Sequence, residues 1–256
     1  SINGSNETNV AWQWKAGTAF TNDASATSVG SIDSAGSVST TAGFSVISWT
    51  GDGNNGATIA HGLGATPAIV ITKRRDDTAD FQIGGSLIDT VRGGANSLLL
   101  LNTNAVIDSN SEVYQTFSST TFQVGVNAYI NTNNATMISY CFKDVQGYSK
   151  FGSYTGTANA DGAFVYTGFK PRWIMIKGTN IARNWGINDT KRSPINQTQD
   201  SLYANVNDAE TGSGNYIDFL SNGFKLRDTA LTMNGAYKYI YMAFAENPFV
   251  TSTGVP

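Results

Sequence analysis

Two stretches of this chain, about a hundred residues apart, carry similar residues in the same order. Gly43 to Asp76 reads GFSVISWTGDGNNGATIAHGLGATPAIVITKRRD, and Tyr148 to Thr179 reads YSKFGSYTGTANADGAFVYTGFKPRWIMIKGT. Trp49-Thr50-Gly51 meets Tyr154-Thr155-Gly156, Gly62-Leu63 meets Gly168-Phe169, and Pro67 meets Pro171 after a two-residue gap. Ile69-Val70-Ile71 then meets Trp173-Ile174-Met175, and Lys73 meets Lys177. Further on, Asp89-Thr90 and Arg92 precede Asp189-Thr190 and Arg192. Phe122 and Ile138-Ser139-Tyr140 each stand 102 residues before Phe224 and Ile240-Tyr241-Met242. Matches kept in order at a nearly fixed spacing are the signature of an internal repeat. The chain therefore divides into copies of about a hundred residues, 43–146 and 147–256.

The first copy has a fragment ahead of it. NVAWQWKAG aligns with the aromatic run that closes each copy, Val10-Ala11-Trp12 against Ile138-Ser139-Tyr140. Residues 1–16 are thus expected to be the closing strand of an incomplete preceding module. A lone strand carrying Trp12 and Trp14 is a sticky edge in water, so these two residues are expected at a subunit or module interface. The chain also starts without Met, as the processed or ordered part of something longer would. Residues 17–42 are rich in Ser, Thr, Ala and Gly and almost uncharged. That composition predicts a flexible linker.

Composition decides the fold class within each copy. Only 14% of residues are charged, and 27 Gly with abundant Asn, Ser and Thr take their place beside 13 Phe, 11 Tyr and 5 Trp. Turn formers alternating with aromatic and β-branched runs predict many short strands and no long helix. Strands are expected at Phe44–Trp49, Ala68–Thr72, Ser97–Asn102, Thr121–Val126 and Thr136–Phe142; the second of these is apolar throughout, as a strand buried on both faces would be. Pro67 and Pro171 stand just before their strands, where a missing N–H does least harm. The expected fold is all-β: two tandem β-sandwich modules of jelly-roll or lectin-like type, preceded by an extra strand and a linker.

Several function classes are disfavoured. A net charge of −3 does not suit a general nucleic-acid grip, which needs a basic face. No apolar run reaches the ~18 residues of a membrane span, and the single cysteine, Cys141, allows no internal disulfide. His61 is the only histidine and Thr167 stands at its place in the second copy, so a turn or interface role fits better than catalysis. Cys141 meets Ala243, which suits a small buried side chain. Asp52, Asn54 and Gly56 resemble a calcium loop but lack the distal Glu, so a tight polar hairpin explains them better. Asp76, Asp77 and Asp80 suit a solvated loop beside Lys73-Arg74-Arg75. The Asp89/Arg92 and Asp189/Arg192 pairs suit structural ion bridges. Glu occurs only at positions 7, 112, 210 and 246, and no acid pair recurs at the fixed offset that glycoside cleavage needs. No catalytic residue, metal ligand or cofactor is expected. The aromatics Trp185, Tyr203 and Tyr216, set among Asn-rich loops, are the expected ligand contacts, because aromatic faces beside amides suit sugar rings; core packing is the competing account of each.

The stretches WTGDGNNGATIAHGLGATP, DTVRG and YIYMAFAENPFVTSTGVP resemble tandem modules in virion proteins of marine bacteriophages, of the tail-fibre-like or structural kind. The resemblance runs over nearly the whole chain, and its motifs define a module rather than an activity. It implies a non-enzymatic fibre, spike or capsid-surface component located in the extracellular particle. Its implied partners are other virion subunits, copies of itself in an assembly such as a trimer, and a host-surface glycan, with no nucleic acid and no membrane insertion. Repeated weak sites would then act by multivalency. A carbohydrate-binding module of a secreted or cell-surface protein is the alternative, and a glycan-degrading enzyme the less favoured third.

Overall fold

The computed structural model describes residues 9–15, 17–212, 214 and 216–248. These residues are all-β, in four antiparallel sheets. The first half of the chain forms β1 (Thr18–Asn22), β2 (Ser34–Ser39), β3 (Phe44–Thr50), β4 (Ala57–Ala60), β5 (Ile69–Arg74), β6 (Gln82–Gly84), β7 (Ser97–Leu100), β8 (Asp108–Ser109), β9 (Tyr114–Phe117), β10 (Thr121–Val124) and β11 (Thr136–Phe142). The second half forms β12 (Ser149–Thr155), β13 (Phe164–Tyr166), β14 (Pro171–Gly178), β15 (Gly186–Asp189), β16 (Ser201–Tyr203), β17 (Ile217–Leu220), β18 (Gly223–Leu226) and β19 (Lys238–Ala245). Two short helices, α1 (Ala24–Thr27) and α2 (Ser86–Arg92), complete the elements.

An eight-stranded sheet runs β1-β2-β3-β11-β5-β6-β7-β8, with β4-β10-β9 as its small companion. A five-stranded sheet runs β12-β19-β14-β15-β16, with β13-β18-β17 beside it. The core order β3-β11-β5-β6-β7 thus reappears as β12-β19-β14-β15-β16, and β4-β10-β9 as β13-β18-β17. Register agrees as well. Val70 lies opposite Cys141 on β11, and Ile174 opposite Ala243 on β19.

Strand alternation builds three cores from two sheet pairs. On β11, Met137 and Cys141 point into the first sandwich with Trp49, Ile59, Tyr114 and Phe122. On β19, Tyr239, Tyr241 and Ala243 point into the second with Ile174, Phe219 and Phe224. The opposite faces meet each other: Ile71 and Phe142 from the first large sheet pack with Trp173, Met175, Met242 and Phe244 from the second. The molecule is therefore a four-sheet stack whose two large sheets lie back to back. This is why AIVIT reads as apolar throughout: Val70 faces one core while Ile69 and Ile71 face another. The segment after β7 also bonds to the second sandwich. Leu100 O accepts from Trp185 Nε1 at 2.9 Å, Asn104 O from Lys177 Nζ at 3.2 Å, and Ile107 N–H donates to Thr179 O at 2.8 Å.

Two expectations are corrected. Residues 17–42 are not a flexible linker: β1 pairs with β2, and β2 extends the first large sheet by pairing with β3 from Ser34↔Trp49 to Ser39↔Phe44. Composition misleads here because the segment needs no core of its own. It joins an existing sheet edge and anchors Phe20, Ile32 and Val38 on the first core. Gly36 permits the approach, since a Cβ there would fall 1.8 Å from Val46 O. Likewise the described part of the proposed closing strand, residues 9–15, forms no strand. Its two tryptophans rest on a sheet face, where backbone groups are already paired and offer no ladder to join. Residues 1–8 and 16 of that segment lie outside the described residues.

Candidate functional site

The outermost sheet of the second sandwich presents the most exposed aromatic face in the described chain. Edge strand β13 buries Val165 against Phe224 and turns its neighbours outward, leaving Phe164 46% and Tyr166 66% exposed. Across the ladder Phe164 stands beside Lys225, which stands beside Asp218, while Tyr166 pairs with Gly223. A side chain at Gly223 would press on the Phe164 ring, at 3.1 Å, and on Val165 O, at 2.1 Å. A charge lattice borders the rings. Lys225 Nζ meets Asp161 Oδ1 at 2.7 Å, Arg227 Nη1 meets the same oxygen at 3.4 Å, and Arg227 Nε meets Asp218 Oδ2 at 2.5 Å. The hydrogen bond from Lys225 holds the Asp161 carboxyl below its ordinary range. Flat rings beside fixed donors and acceptors can stack on the apolar face of a ring-shaped ligand while bonding its hydroxyls.

The matching edge of the first sandwich is paired. Ile59 and Val165 occupy corresponding places opposite Phe122 and Phe224, so Thr58 and Ala60 stand where the second sandwich has Phe164 and Tyr166. Thr58 O accepts from Ser31 N–H and Ile32 N–H, and Ala60 O from Ser34 Oγ. Residues 30–34 thus strap this edge.

Of the sequence-predicted residues, Trp12 and Trp14 lie where the two sandwiches meet. Trp14 is 5.6 Å from Trp173, 5.3 Å from Phe244 and 6.4 Å from Phe142 between ring centroids, and Trp12 is 6.1 Å from Trp173. Arg192 lies over the Trp12 ring at 5.9 Å. Trp185, expected in an exposed loop, is instead only 1% exposed and belongs to the core between the large sheets. Its position just before β15 turns it toward the first sandwich, whose Leu100 O takes its N–H. Tyr203 ends β16, half-buried and opposite Gly186. Tyr216 is half-buried beside Arg227, whose N–H donates to Tyr216 O, and its own N–H donates to Asp228 Oδ2 at 2.8 Å. The three lie apart in the fold: Trp185 in the core between the large sheets, Tyr203 at the end of β16, and Tyr216 just before β17 of another sheet.

The remaining polar residues have local duties. His61 is fully buried; Leu63 N–H donates to its Nδ1 and its Nε2 donates to Ser118 O, both at 3.2 Å. Burial lowers its pKa to about 4. Burial pushes the Cys141 thiol up to about 12. Asp52 accepts from Asn54 N–H and from the Asn131 amide at 3.1 Å. Asp76 pairs with Arg74 at 2.7 Å, and Asp80 accepts from the Asn102 amide at 2.6 Å. Asp189 and Arg192 form an ion pair at 2.6 Å, whereas Asp89 sits on α2 and accepts from Ser97 N–H. The ladders place Gly85, not Asp89, at the position of Asp189, so that sequence match does not mark corresponding places. A polar cleft of about 700 Å³ lies beside Asp23, Asp33, Asp52 and Arg75, but Asp23 caps α1 and Asp33 accepts from Ala24 N–H. Among the described residues no three metal-ligating side chains come together, and no helix is long and apolar enough to cross a membrane.

Sequence reasoning missed Phe164 and Tyr166, and also the fully buried amides Asn131 and Asn234. Phe-Val-Tyr is apolar at all three positions, so the sequence does not mark which of its side chains face solvent; the burial pattern and the ladder do. The second pair had only its spacing. Asn131 bonds Asp52, Asn54 O and Gly125 O; Asn234 bonds Thr157 N, Asn159 O and Asp228 O.

These features define an all-β double sandwich with one strapped and one unstrapped outer edge. The chain belongs to the family described as DUF7483, a domain of unknown function, whose model matches residues 1–248. No curated protein and no solved structure matches it.

Proposed function

We propose that this chain is a non-enzymatic bacteriophage virion structural protein, a fibre, spike or capsid-surface component, that presents a glycan-binding face to the host. The bare Phe164/Tyr166 platform with its Lys225, Asp161, Arg227 and Asp218 border carries this proposal. Neighbouring large aromatics on a solvent-facing edge strand, where the sister sandwich has Thr58 and Ala60, form the kind of exposed apolar patch that marks a binding surface. The virion context rests on the resemblance of the quoted motifs. Weak sugar contacts become effective there through many copies per particle.

The test pairs a glycan array with saturation-transfer NMR on the wild-type chain and on a Phe164→Ser, Tyr166→Ser double variant. Binding that the double variant loses while its thermal midpoint holds supports the glycan face. Glycan binding unaffected by the substitutions overturns it. Mass spectrometry of purified particles tests the context: the chain among particle proteins supports a virion component. Its recovery only from secreted or cell-surface material favours the carbohydrate-binding module of such a protein, which would use the same face.

A further inference from the structure

The copies differ at a second place, just past the end of β13. In the first sandwich Gly62 is packed over by residues that precede β3: a Cβ there would fall 2.8 Å from Val38 and 2.9 Å from the Phe20 ring. Gly168 takes its place in the second sandwich, and the nearest atoms a Cβ would meet there belong to Tyr166, at 3.6 Å and beyond. A hollow of about 350 Å³ opens at that point, lined by Asp144, Gln146, Lys150, Tyr166 and Gly168. Its lining has changed along with its cover. The ladders set Lys150 opposite Ala243, where the first sandwich has Ser45 opposite Cys141. Ser45, buried and paired with Val38, is thus replaced by a half-buried cation that pairs with Asp144.

An extended segment cannot repeat the first sandwich's arrangement here. There β2 pairs with β3 through Ser37↔Val46. At the corresponding place the Phe151 N–H already donates to Asp144, and Val145 and Ser149 bond each other in both directions, at 3.1 and 2.9 Å. What the hollow suits is small and hydroxylated. A carboxylate and an ammonium each make several hydrogen bonds, so Asp144 and Lys150 keep capacity after meeting each other. The exposed Gln146 amide adds a donor and an acceptor. Hydroxyl groups, which donate and accept, match this mixed set, and the Tyr166 ring offers a flat apolar surface to one face of a pyranose. The cation and the anion offset each other, so a charged sugar meets no net attraction. The volume lies at the low end for small-molecule sites, enough for one ring and not for a run of them.

We propose that this hollow holds the terminal residue of a neutral glycan whose remaining residues cross the Phe164/Tyr166 platform. The proposal rests on the glycan reading above and adds to it an end-on geometry and a preference for an uncharged terminal sugar.

Saturation-transfer NMR and calorimetry on the full chain test it, with methyl glycosides of glucose, galactose, mannose and N-acetylglucosamine, and methyl glucuronide as the acidic comparison. A neutral glycoside should saturate at one per chain and bind more tightly than the glucuronide. Gln146 is exposed, so Gln146→Trp should fill the hollow without unfolding the chain and weaken that glycoside about tenfold or more. Gln146→Ala should weaken it about fivefold through lost hydrogen bonds, and both thermal midpoints should hold. Full affinity in either variant, or tighter binding of the glucuronide, overturns the proposal. If the Phe164→Ser, Tyr166→Ser variant loses array glycans that Gln146→Trp retains in full, the hollow falls and the platform stands; a wild-type chain that binds no glycan takes both down. A synthetic peptide of residues 17–42 that binds the chain, and that Gln146→Trp releases, would make the hollow a peptide site and overturn the proposal.

Discussion

In the first sandwich the outer strand carries Thr58 and Ala60 and is paired along its edge by residues 30–34; in the second, the same places hold Phe164 and Tyr166 in solvent. One strand order has thus been finished in two ways. The first copy spends a segment of its own chain on two sheet edges, adding β2 to β3 and Ile32 to β4 through the Ile32↔Ile59 bridge. The second copy caps part of β12 locally: Asp144 accepts the Phe151 N–H at 2.8 Å and pairs with Lys150. Its β13 edge has no strap among the described residues. The strapped strand carries small residues, and the unstrapped one carries large aromatics. The difference teaches that repeat copies share a framework while diverging at the edges.

The largest expected effect tests the strap. Gly36→Val would drive a side chain into Val46 O and strip β2 from the first sandwich, costing roughly 3 kcal/mol or more; an unchanged denaturation midpoint would show that the strap does not complete that sandwich. Next comes pH, which should separate the copies because Thr167 takes the place of His61 in the second. His61 is held neutral in the fold, with a pKa near 4 against 6.5 for the free side chain. Its contribution is intact above pH 6.5 and is lost as pH falls toward 4, by roughly 3 kcal/mol. His61→Gln should flatten that slope in urea melts between pH 4 and 7. Lys177, between the large sheets, runs the other way. Burial lowers it from 10.5 to about 8, so stability should rise as pH climbs from 8 to 10.5, and Lys177→Met should remove the rise. A smaller effect probes the likeness of the copies. Asn131→Ala and Asn234→Ala each strand several buried hydrogen-bonding groups, and both should cost about 2 kcal/mol by chemical denaturation. A cost confined to one would mean that the two loops are not built alike. The smallest stability change, within about 0.5 kcal/mol, is expected for Tyr166→Ser at the open face; a large loss there would make the ring a packing residue.

Much of the framework was legible in the sequence. Thr136–Phe142 was delimited to the residue, and AIVIT was recognised as doubly buried because an uninterrupted apolar run leaves no wet face. The strap was illegible for a physical reason: Ser, Gly and Ala carry no hydrophobic signal, and β1 and β2 draw their stability from a ladder that exists only once β3 is in place. Trp185 misled because its Asn-rich neighbours describe the loop around it and not the direction of its ring. Phe164 and Tyr166 became meaningful only when the ladders set them against Thr58 and Ala60.

The bonds from Leu100, Asn104 and Ile107 to the second sandwich bear on mechanics. With sheet faces locked back to back and a tether on the far side of the turn at 143–148, the two halves have no bearing on which to swing. Torque applied at one outer face passes to the other with little give. Any assembly of such chains would bend at the joints between them, each chain acting as a stiff strut.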